Sequence, residues 1–249
     1  MTTQATQVDP RGRIAGDEVW EVAAAEYRRM LELIRTLGDD DWTRPTDCTA
    51  WDVRGMLGHL VGAAEGWGSP MELVHQYRLG SKLVKRGEVD GHLPVDGANA
   101  VQVRERADKT TAELIARYQR ATPRALRWRR RLRWTPVSMQ DDGGRFSMRE
   151  LFEVILTRDT WMHRVDIARA TGRAMILTPE HDGRLVEDCV LDWAKKHGRH
   201  FNLVLGGPAG GRFSVGTGGP DFEIDAIEFV RALSGRGVRE EILGTRVVF

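Results

Sequence analysis

Apolar residues recur every three or four positions along most of the chain, and this spacing is typical of amphipathic helices. A helix of this kind buries one face, so four long ones in succession predict a helical bundle. A fifth predicted helix follows the four. The predicted helices cover about residues 17–37, 51–84, 100–121, 147–172 and 178–197.

Capping and helix-breaking residues set the predicted ends of these helices. The Gly-Ser-Pro sequence at 68–70 is expected to kink or divide the second helix, and Thr-Pro at 122–123 to end the third. Residues 49–52 and 147–150 each place a Ser or Thr three positions before an acidic residue, which is the spacing of a capping box. A loop is predicted at 85–99.

The pattern changes after residue 200. The short apolar runs FNLVLGG, GRFSVG and TRVVF are separated by Gly-rich turns and are predicted to be strands, whereas DAIEFVRALSG is predicted to be a helix. The fold class is therefore α+β and mainly helical. The predicted divisions are a disordered tail at 1–15, a helical bundle at 16–198 and a small α+β C-terminal domain at 199–249.

Two ionisable residues interrupt an apolar helix face. Asp159 and His163 lie four positions apart, on the stripe that also carries Phe152 and Ile155. A buried carboxylate is costly unless it is paired or bound to a cation, and the i, i+4 spacing directs both side chains to one point. A divalent metal ion binds carboxylate oxygen and imidazole nitrogen together. A plain hydrogen-bonded pair is the alternative that the spacing leaves open.

His59 has a similar setting, because it borders the apolar stripe of the second predicted helix. Gly55, Gly62 and Gly66 lie around it, so the helix face beside the imidazole carries few side chains. Glycine inside a helix costs about 1 kcal/mol relative to alanine. The row of glycines therefore indicates either close helix packing or room for a ligand.

Two sequence blocks carry a family resemblance. In DDDWTRPTDCTAWDVRGMLGHLVG, a Trp, a Pro and a Cys precede a Trp-initiated helix that ends in His-Leu. In RDTWMHRVDIARATGR, a carboxylate and a His four apart precede an Asp. The chain resembles the metal-binding domain of the mycothiol-dependent maleylpyruvate isomerase family, a branch of the DinB-like helical bundles. The stretch after residue 200 is similar to the small C-terminal domain that many members carry.

The resemblance implies a divalent metal ion, expected to be Zn²⁺, with His59, Asp159 and His163 as its ligands. Three protein ligands leave a tetrahedral zinc ion one open position, which in this family receives the sulfur of mycothiol. The founding pattern has Glu where this chain has Asp159, and the shorter side chain bears on the metal distance and the substrate scope. Asp166 is a further candidate, because a carboxylate beside a ligating imidazole often accepts its other N–H. A salt bridge to Arg169 or Arg164 is the alternative for Asp166.

Three functions remain open at this point. The first, which the resemblance favours, is a zinc-dependent mycothiol S-transferase or isomerase that acts on a small electrophile through a metal-bound thiolate. The second is a DinB-like metal-dependent hydrolase that uses metal-bound water as its nucleophile. The third is a non-enzymatic metal-binding interaction protein in which the metal only braces the bundle.

Arginines suggest possible contacts to an anionic substrate. Arg158 and Arg164 adjoin the candidate ligands, and a guanidinium can hold a dicarboxylate by paired hydrogen bonds. The segment RALRWRRRLRW, residues 124–134, interleaves six arginines with apolar residues. We interpret it as a solvated, salt-bridged connection whose Trp residues pack on the bundle. Contact with an anionic substrate and binding of nucleic acid are the alternatives.

Composition adds few constraints. With 37 basic and 36 acidic residues the formal charge is +1, which predicts no general attraction to nucleic acid or to an anionic membrane. The sequence has no apolar run of membrane-helix length and no apolar core of a signal peptide near its start. Two cysteines, Cys48 and Cys189, agree with a reducing compartment. We therefore expect a cytoplasmic protein, a monomer or weak dimer, with small-molecule partners.

Overall fold

The computed structural model describes residues 12–141, 144–236 and 244–249. The chain divides into two compact units. The helical unit comprises Trp20–Asp141 and Arg145–Ala174, and the second unit is built mainly from Met175–Phe249. The predicted α+β class with a mainly helical content is confirmed. Among the described residues, no helix is both long enough and apolar enough to cross a bilayer.

Part of the predicted N-terminal tail is held in place. Residues 1–11 of the predicted tail lie outside the described residues, and residues 12–15 are described. Arg13 Nε lies 2.8 Å from Asp188 Oδ1, and the backbone N–H of Ile14 donates to the same oxygen at 3.1 Å. The side chain of Ile14 is buried. Arg13 and Ile14 therefore contact Asp188, and the disordered tail predicted at residues 1–15 stays a prediction.

The helical unit contains a succession of helices with one strand pair among them. The strands β1 and β2 pair with each other before the last helical segment of this unit. The elements are α1 (Glu18–Ile34), α2 (Val53–Trp67), α3 (Pro70–Lys85), α4 (Pro94–Arg104), α5 (Thr111–Leu132), β1 (Ser138–Asp141), β2 (Gly144–Ser147), α6 (Met148–Glu150), a π turn (Leu151–Ile155) and α7 (Leu156–Thr171).

Helix α2 begins with an aspartate cap. The Asp52 carboxylate accepts a hydrogen bond from the Gly55 backbone N–H at 2.7 Å. Asp52 is therefore the N-cap itself, and the capping box predicted from Thr49 is wrong, because the cap lies one position before the first helical residue. The division predicted at 68–70 is confirmed, since the glycine ends α2, the serine caps α3 and the proline takes its first helical position.

The predicted third helix is two helices. Helix α4 begins at Pro94, inside the predicted loop, and α5 continues past Pro123, where the helix was expected to end. A capping box starts α5, because the Thr110 hydroxyl accepts from the Glu113 N–H and the Glu113 carboxylate accepts from the Thr110 N–H. Proline in a helix interior removes one backbone hydrogen bond. The packing of the long buried face of α5 compensates for this loss at Pro123. That face consists of Leu114, Tyr118, Ala121 and Ala125.

The arginine-rich segment is the C-terminal part of α5 rather than a connection. Arg129 is completely buried, and its guanidinium donates to the Phe152 carbonyl and to the Thr157 hydroxyl. This arginine therefore fastens α5 to the turn that precedes α7. Trp134 is 63% exposed, so the expectation that the Trp residues of this segment pack on the bundle is wrong for Trp134.

The helical segment that carries two of the candidate ligands has the predicted ends. The Ser147 hydroxyl accepts from the Glu150 N–H at 3.1 Å, which confirms the predicted capping box. Gly172 has φ 67° and ends α7 in the left-handed conformation that glycine adopts without strain. The π turn between α6 and α7 was not predicted. Such turns are frequent beside functional sites.

Four helices, α1, α2, α5 and α7, form the bundle. Helix α2 packs against α5 and α7. Helix α1 contacts α5 and α7. Tyr27 meets Tyr118 of α5 edge-on with ring centroids 6.1 Å apart, and Glu26 pairs with Arg164 of α7. Helices α3 and α4 pack against each other and against α2. Helix α2 therefore contacts most of the other helices of its unit.

The second unit is a small sheet with helices. It contains α8 (Asp182–His197), β3 (Phe201–Gly206), β4 (Gly211–Val215), β5 (Asp221–Asp225) and α9 (Ala226–Leu233). The strand order is β4-β3-β5, with β4 antiparallel and β5 parallel to β3. Trp193 packs against Phe201 and Phe229, with ring centroids 4.7 and 5.3 Å apart. Helix α8 thus shares a core with the sheet, and the boundary predicted between residues 198 and 199 stays a prediction.

Two strand assignments of the sequence analysis differ from the structure. Residues 245–249, TRVVF, form no strand, although Val247 and Val248 are buried. The third strand of the sheet is instead Asp221–Asp225, at the edge opposite β4. It was not predicted, because acidic residues alternate with its two apolar ones. The pairing of β5 with β3, rather than its own hydrophobicity, makes this segment a strand.

Candidate metal centre

The structure brings the three predicted ligands together from two helices. His59 lies in the middle of α2, and Asp159 and His163 lie on successive turns of α7. His163 Nε2 is 3.3 Å from Asp159 Oδ1, and His59 Nε2 is 3.8 Å from Asp159 Oδ2. The three potential donor atoms lie within 4.8 Å of one another. Atoms that each bind one ion at about 2.0–2.2 Å are separated by distances of this order.

The cluster is buried on its imidazole side and reached by solvent on its carboxylate side. The side chains of His59 and His163 are each 6% exposed, whereas the side chain of Asp159 is 26% exposed. A ligand from solution would therefore approach the cluster beside Asp159. Three protein ligands would leave a tetrahedral zinc ion one position for an incoming molecule.

Asp166 orients the imidazole of His163. Asp166 is completely buried, and its Oδ2 lies 3.1 Å from His163 Nδ1. An ionised carboxylate can only accept a hydrogen bond, so Nδ1 of His163 carries the hydrogen. The second ring nitrogen, Nε2, then faces Asp159. The structure thus places Asp166 where the sequence analysis expected it, behind the imidazole.

Gln102 and Trp51 hold the imidazole of His59. Gln102 Oε1 lies 2.8 Å from His59 Nδ1, and the Trp51 ring stacks on the imidazole with centroids 4.6 Å apart and planes 21° from parallel. Within the described residues, His59 Nε2 is buried and has no hydrogen-bond partner. This nitrogen is the one that faces Asp159 and His163.

The glycines of α2 admit side chains from other helices and do not line an open pocket. A Cβ at Gly62 would lie 2.5 Å from the Gln102 Cβ, and a Cβ at Gly66 would lie 2.8 Å from Gln76 Oε1. Of the two readings of the glycine row, close packing is therefore the one that the structure supports at both positions. Gly55 contacts its own capping turn at Trp51.

Two glutamines that were not among the predicted site residues fill this space. Gln76 on α3 and Gln102 on α4 are buried, and Gln102 Nε2 donates to Gln76 Oε1 at 2.9 Å. Gln76 Nε2 donates to the Gly62 carbonyl at 2.9 Å and to Glu72 Oε1 at 2.8 Å. The glycines were the signal that such partners exist, but the partners themselves depend on how α3 and α4 fold over α2.

The charges of the cluster shift the pKa of its members. Burial alone would raise the pKa of Asp159, but the charge and the hydrogen bond of the His163 imidazolium outweigh burial and hold this pKa well below its usual range. Burial alone would lower the pKa of His163, but Asp159 and Asp166 outweigh burial and raise this pKa to about 9. Without a cation, His163 is therefore an imidazolium between two carboxylates at neutral pH.

The two predicted substrate-binding arginines are both buried. Arg164 pairs with Glu26 of α1 through two hydrogen bonds, Nε to Oε1 at 2.7 Å and Nη2 to Oε2 at 2.9 Å. Bidentate pairing of this kind fixes the guanidinium and supports a structural role for Arg164. A substrate contact by Arg158 stays a prediction.

A second polar cluster surrounds a cavity of about 330 Å³ that the C-terminal end of α2 helps to line. Arg106 pairs with Glu65 and Glu72, and Arg117 pairs with Glu65. Burial alone would raise the pKa of Glu65, but hydrogen bonds from Arg117 and Arg106 outweigh it and lower this pKa. The pairing of Arg106 and Arg117 with Glu65 and Glu72 supports a structural role for these four side chains.

The fold and the site together define the class of this protein. It is a helical bundle in which His and Asp side chains of two helices, of the kind that bind metal ions, meet at one buried point. The chain belongs to the mycothiol maleylpyruvate isomerase N-terminal domain family, whose model matches residues 23–168. This match covers more than half of the chain and confirms the family that the sequence resembled. Membership in this family identifies the chain as an enzyme. Comparison with curated protein sequences gives no match.

Two solved structures share the fold. They are the crystal structure of the mycothiol-dependent maleylpyruvate isomerase, with a TM-score of 0.54, and that of a mutant in which a histidine is replaced by alanine, with a TM-score of 0.53. In each case the identity is 13%, and the match covers 89% of this chain and 89% of that chain. At this identity the likeness shows the fold alone, which is DinB-like.

Proposed function

We propose that this protein is a zinc-dependent enzyme that uses mycothiol as a thiol cosubstrate to isomerise or conjugate a small electrophile. The proposed zinc ligands are His59, Asp159 and His163. The observation that carries the proposal is the buried Nε2 of His59, which has no hydrogen-bond partner among the described residues and faces the other two side chains. A buried polar atom without a partner costs about 1–3 kcal/mol, and a cation at this point would remove that cost.

The donor set supports zinc. Two imidazole nitrogens and one carboxylate oxygen are a common ligand set of catalytic zinc, and this set leaves a fourth position for a substrate. Two neutral imidazoles and one carboxylate would also leave a net charge of +1 on the site. That charge attracts an anionic sulfur. The solvent-exposed side of Asp159 supports access of the thiol to this position.

The chain's own residues would set the electrostatics of the reaction. Bound zinc would favour the thiolate of mycothiol over the thiol, whose pKa of about 8.5 otherwise leaves it mostly protonated at neutral pH. Asp166 and Gln102 would hold the two imidazoles with Nε2 toward the metal. Trp51 covers the His59 ring and excludes water from that side.

Isomerisation and conjugation share their first step. Addition of the thiolate sulfur to one carbon of an activated double bond makes a C–S bond and leaves a single bond that rotates. The electron pair that the addition left on the second carbon then expels the same thiolate, which restores the double bond in the other geometry and regenerates the thiolate. Protonation of the second carbon instead gives the conjugate. Of these two reactions, isomerisation is the one that the family and the isomerase with the same fold support.

Metal analysis of purified variants tests the proposed site. We expect about one zinc ion per chain in the parent protein and severe loss of zinc in His59→Ala and in His163→Ala. His92→Ala is the matched control, because this histidine is exposed in the loop before α4 and should keep its zinc. Equal zinc contents in all four proteins would contradict the proposed ligands.

Product analysis tests the reaction. The zinc-loaded protein is incubated with maleylpyruvate and a panel of other electrophiles, with mycothiol and in a water-only control, and the products are identified by mass spectrometry. Products that require mycothiol support the proposal. Hydrolysis products in the water-only control would support the metal-dependent hydrolase instead, and absence of turnover with every substrate would contradict an enzymatic role.

A further inference from the structure

We infer that Gln76 and Gln102 form a one-way hydrogen-bond relay that fixes His59 in the tautomer with hydrogen on Nδ1, so that its Nε2 lone pair faces Asp159 and His163. Both glutamines are then positioning residues for the metal site. Only the consequence for zinc binding rests on the proposed function, because the tautomer is a property of the metal-free protein.

The direction of the relay begins at groups that can only accept hydrogen bonds. The Gly62 carbonyl and the Glu72 carboxylate both lie within 2.9 Å of the same atom of the Gln76 amide. Neither carries a hydrogen, so this atom is the nitrogen, Nε2, which donates to both. The orientation of the Gln76 amide is therefore set by its two acceptors.

The rest of the relay follows from this orientation. Because Nε2 of Gln76 is used by the two acceptors, its Oε1 faces Gln102 and accepts from the Gln102 amide nitrogen at 2.9 Å. Gln102 must then present its Oε1 to His59, at 2.8 Å from Nδ1. An amide oxygen has no hydrogen to give, so His59 Nδ1 is the donor.

Burial makes the relay costly to reverse. Gln76 is 0%, Gln102 5% and His59 4% exposed, so water has little access to repair a wrong contact. Turning the Gln102 amide around would set its NH₂ group against a hydrogen of His59 and its oxygen against the Gln76 oxygen. Each buried polar group that loses its partner costs free energy, so one orientation prevails.

The two imidazoles of the site are thus supported differently. His163 has the carboxylate of Asp166 behind it, whereas His59 has a neutral amide. An amide fixes the tautomer as well as a carboxylate does and adds no negative charge to the site. Gly62 belongs to the same hydrogen-bond relay. Its carbonyl accepts a hydrogen bond from Gln76, and its lack of a side chain leaves the space that Gln102 occupies.

The test reads the tautomer directly in the metal-free protein. Long-range ¹H–¹⁵N correlation spectra of histidine-labelled protein distinguish Nδ1–H from Nε2–H, and His59→Ala assigns the His59 signal by its loss. We expect His59 to be in the Nδ1–H form in the parent protein and in Gln140→Leu, a control at an exposed glutamine of β1. In Gln102→Leu we expect the Nε2–H form to gain population. His59 in the Nε2–H form in the parent protein would overturn the relay.

A second variant and a second measurement separate the relay from folding and from the proposed function. Gln102→Glu keeps an acceptor oxygen beside His59 Nδ1, so hydrogen should stay on Nδ1. Its second oxygen faces Gln76 Oε1 in place of a donor, so this variant should lose stability without losing the Nδ1 hydrogen. Loss of the Nδ1–H form in Gln102→Glu would contradict the relay. With zinc alone as the probe, Gln102→Leu should weaken binding by about 10–100-fold. If the tautomer is as expected and the parent protein binds no zinc, the proposed function fails and the relay stands.

Discussion

Gly62 of α2 and Gln102 of α4 lie so close that a methyl group at position 62 would come within 2.5 Å of the Gln102 Cβ. Real side chains do not approach one another to this distance, so one of the two helices must move if the glycine is replaced. Gln102 is also the residue that holds the His59 ring. Because Gly62 has no side chain, Gln102 can come close enough to α2 to hold His59, the proposed metal ligand one turn away.

Replacement of Gly62 by alanine is expected to damage both stability and metal binding. Overpacking of a tight contact costs about 1–3 kcal/mol, and at a contact as short as 2.5 Å we expect this cost to outweigh the gain of about 1 kcal/mol that alanine brings to a helix. Gly58→Ala is the matched control on the same helix, because its Cβ would meet its nearest neighbours at 3.8 Å, an ordinary contact. Urea unfolding and zinc affinity check both variants.

We expect lower stability and weaker zinc binding in Gly62→Ala, and unchanged or higher stability with full zinc binding in Gly58→Ala. The same zinc affinity in both variants would show that the close approach of α4 to α2 does not position His59.

Zinc binding should strengthen as pH rises toward 9. The pKa of His163 is raised to about 9 in the metal-free protein, so at neutral pH a proton must leave this imidazole before Nε2 can bind a cation. One displaced proton gives an increase in apparent affinity of about tenfold per pH unit below the pKa and no further increase from this group above it. Competition with a chelator at several pH values measures the slope.

Asp166→Asn supplies the control for this pH dependence. The Asp166 carboxylate is one of the groups that raise the pKa of His163, so its neutralisation should lower that pKa and move the plateau to lower pH. A parent protein whose zinc affinity is flat from pH 6 to 9 would show that no such proton is displaced.

The ion pair between Glu26 and Arg164 should be important for stability. Both side chains are buried, and the pair joins α1 to α7 next to the proposed ligands. Replacement of one partner in a buried pair leaves the other charge uncompensated, so Glu26→Gln is expected to cost about 3–5 kcal/mol. Asp108→Asn, in the exposed pair with Lys109, is the control and should leave the urea midpoint unchanged. Equal midpoints for the two variants would contradict a structural role of the buried pair.

The clustering of the three candidate ligands was predictable from the sequence. Asp159 and His163 lie on an apolar helix stripe, His59 borders another, and the family resemblance joined the two helices. The glutamines were not predictable in the same way. Their position depends on the break between α4 and α5, and residues 105–109, Glu-Arg-Ala-Asp-Lys, contain neither Gly nor Pro to mark it. The break between α4 and α5 depends on tertiary packing, and the helix propensities of these residues do not indicate it.

The same distinction applies at the C-terminal end. The Gly-rich turns indicated strands beyond residue 200, and β3 and β4 are found there. The parallel strand β5 was missed, because its partner β3 is about 20 residues away in sequence and its own composition is acidic. The spacing of apolar residues indicates which face of a segment is buried. It does not indicate which distant strand will pair with that segment in a sheet.

Limited proteolysis tests the proposed domain boundary. A boundary at residue 198 predicts that cleavage between Gly198 and Gly211 leaves a stable helical fragment. The contact of Trp193 with Phe201 and Phe229 instead predicts that α8 stays with the sheet, so that the stable fragment ends between Gly172 and His181. Mass spectrometry of the fragments and their circular dichroism decide between the two. A fragment that ends near residue 198 and remains helical would confirm the first boundary.

Mycothiol should stabilise the zinc form of the protein and not the metal-free form. A ligand that binds only the folded state stabilises it by RT ln(1 + [L]/Kd), about 2.7 kcal/mol at a hundred times Kd, which raises the melting temperature measurably. Because the proposed contact is between sulfur and metal, the disulfide of mycothiol should produce little shift, and His163→Ala should produce none. The control variant His92→Ala should behave as the parent protein does.

Each outcome of this experiment identifies a different property of the site. A shift that persists after removal of zinc, or in His163→Ala, would show that the sugar part of mycothiol binds without the metal, and the proposed role of zinc as the thiolate ligand would be wrong. No shift in the zinc form would contradict mycothiol as the cosubstrate and favour metal-dependent hydrolysis. A shift that requires both zinc and the free thiol is the result expected if the sulfur takes the open position beside Asp159.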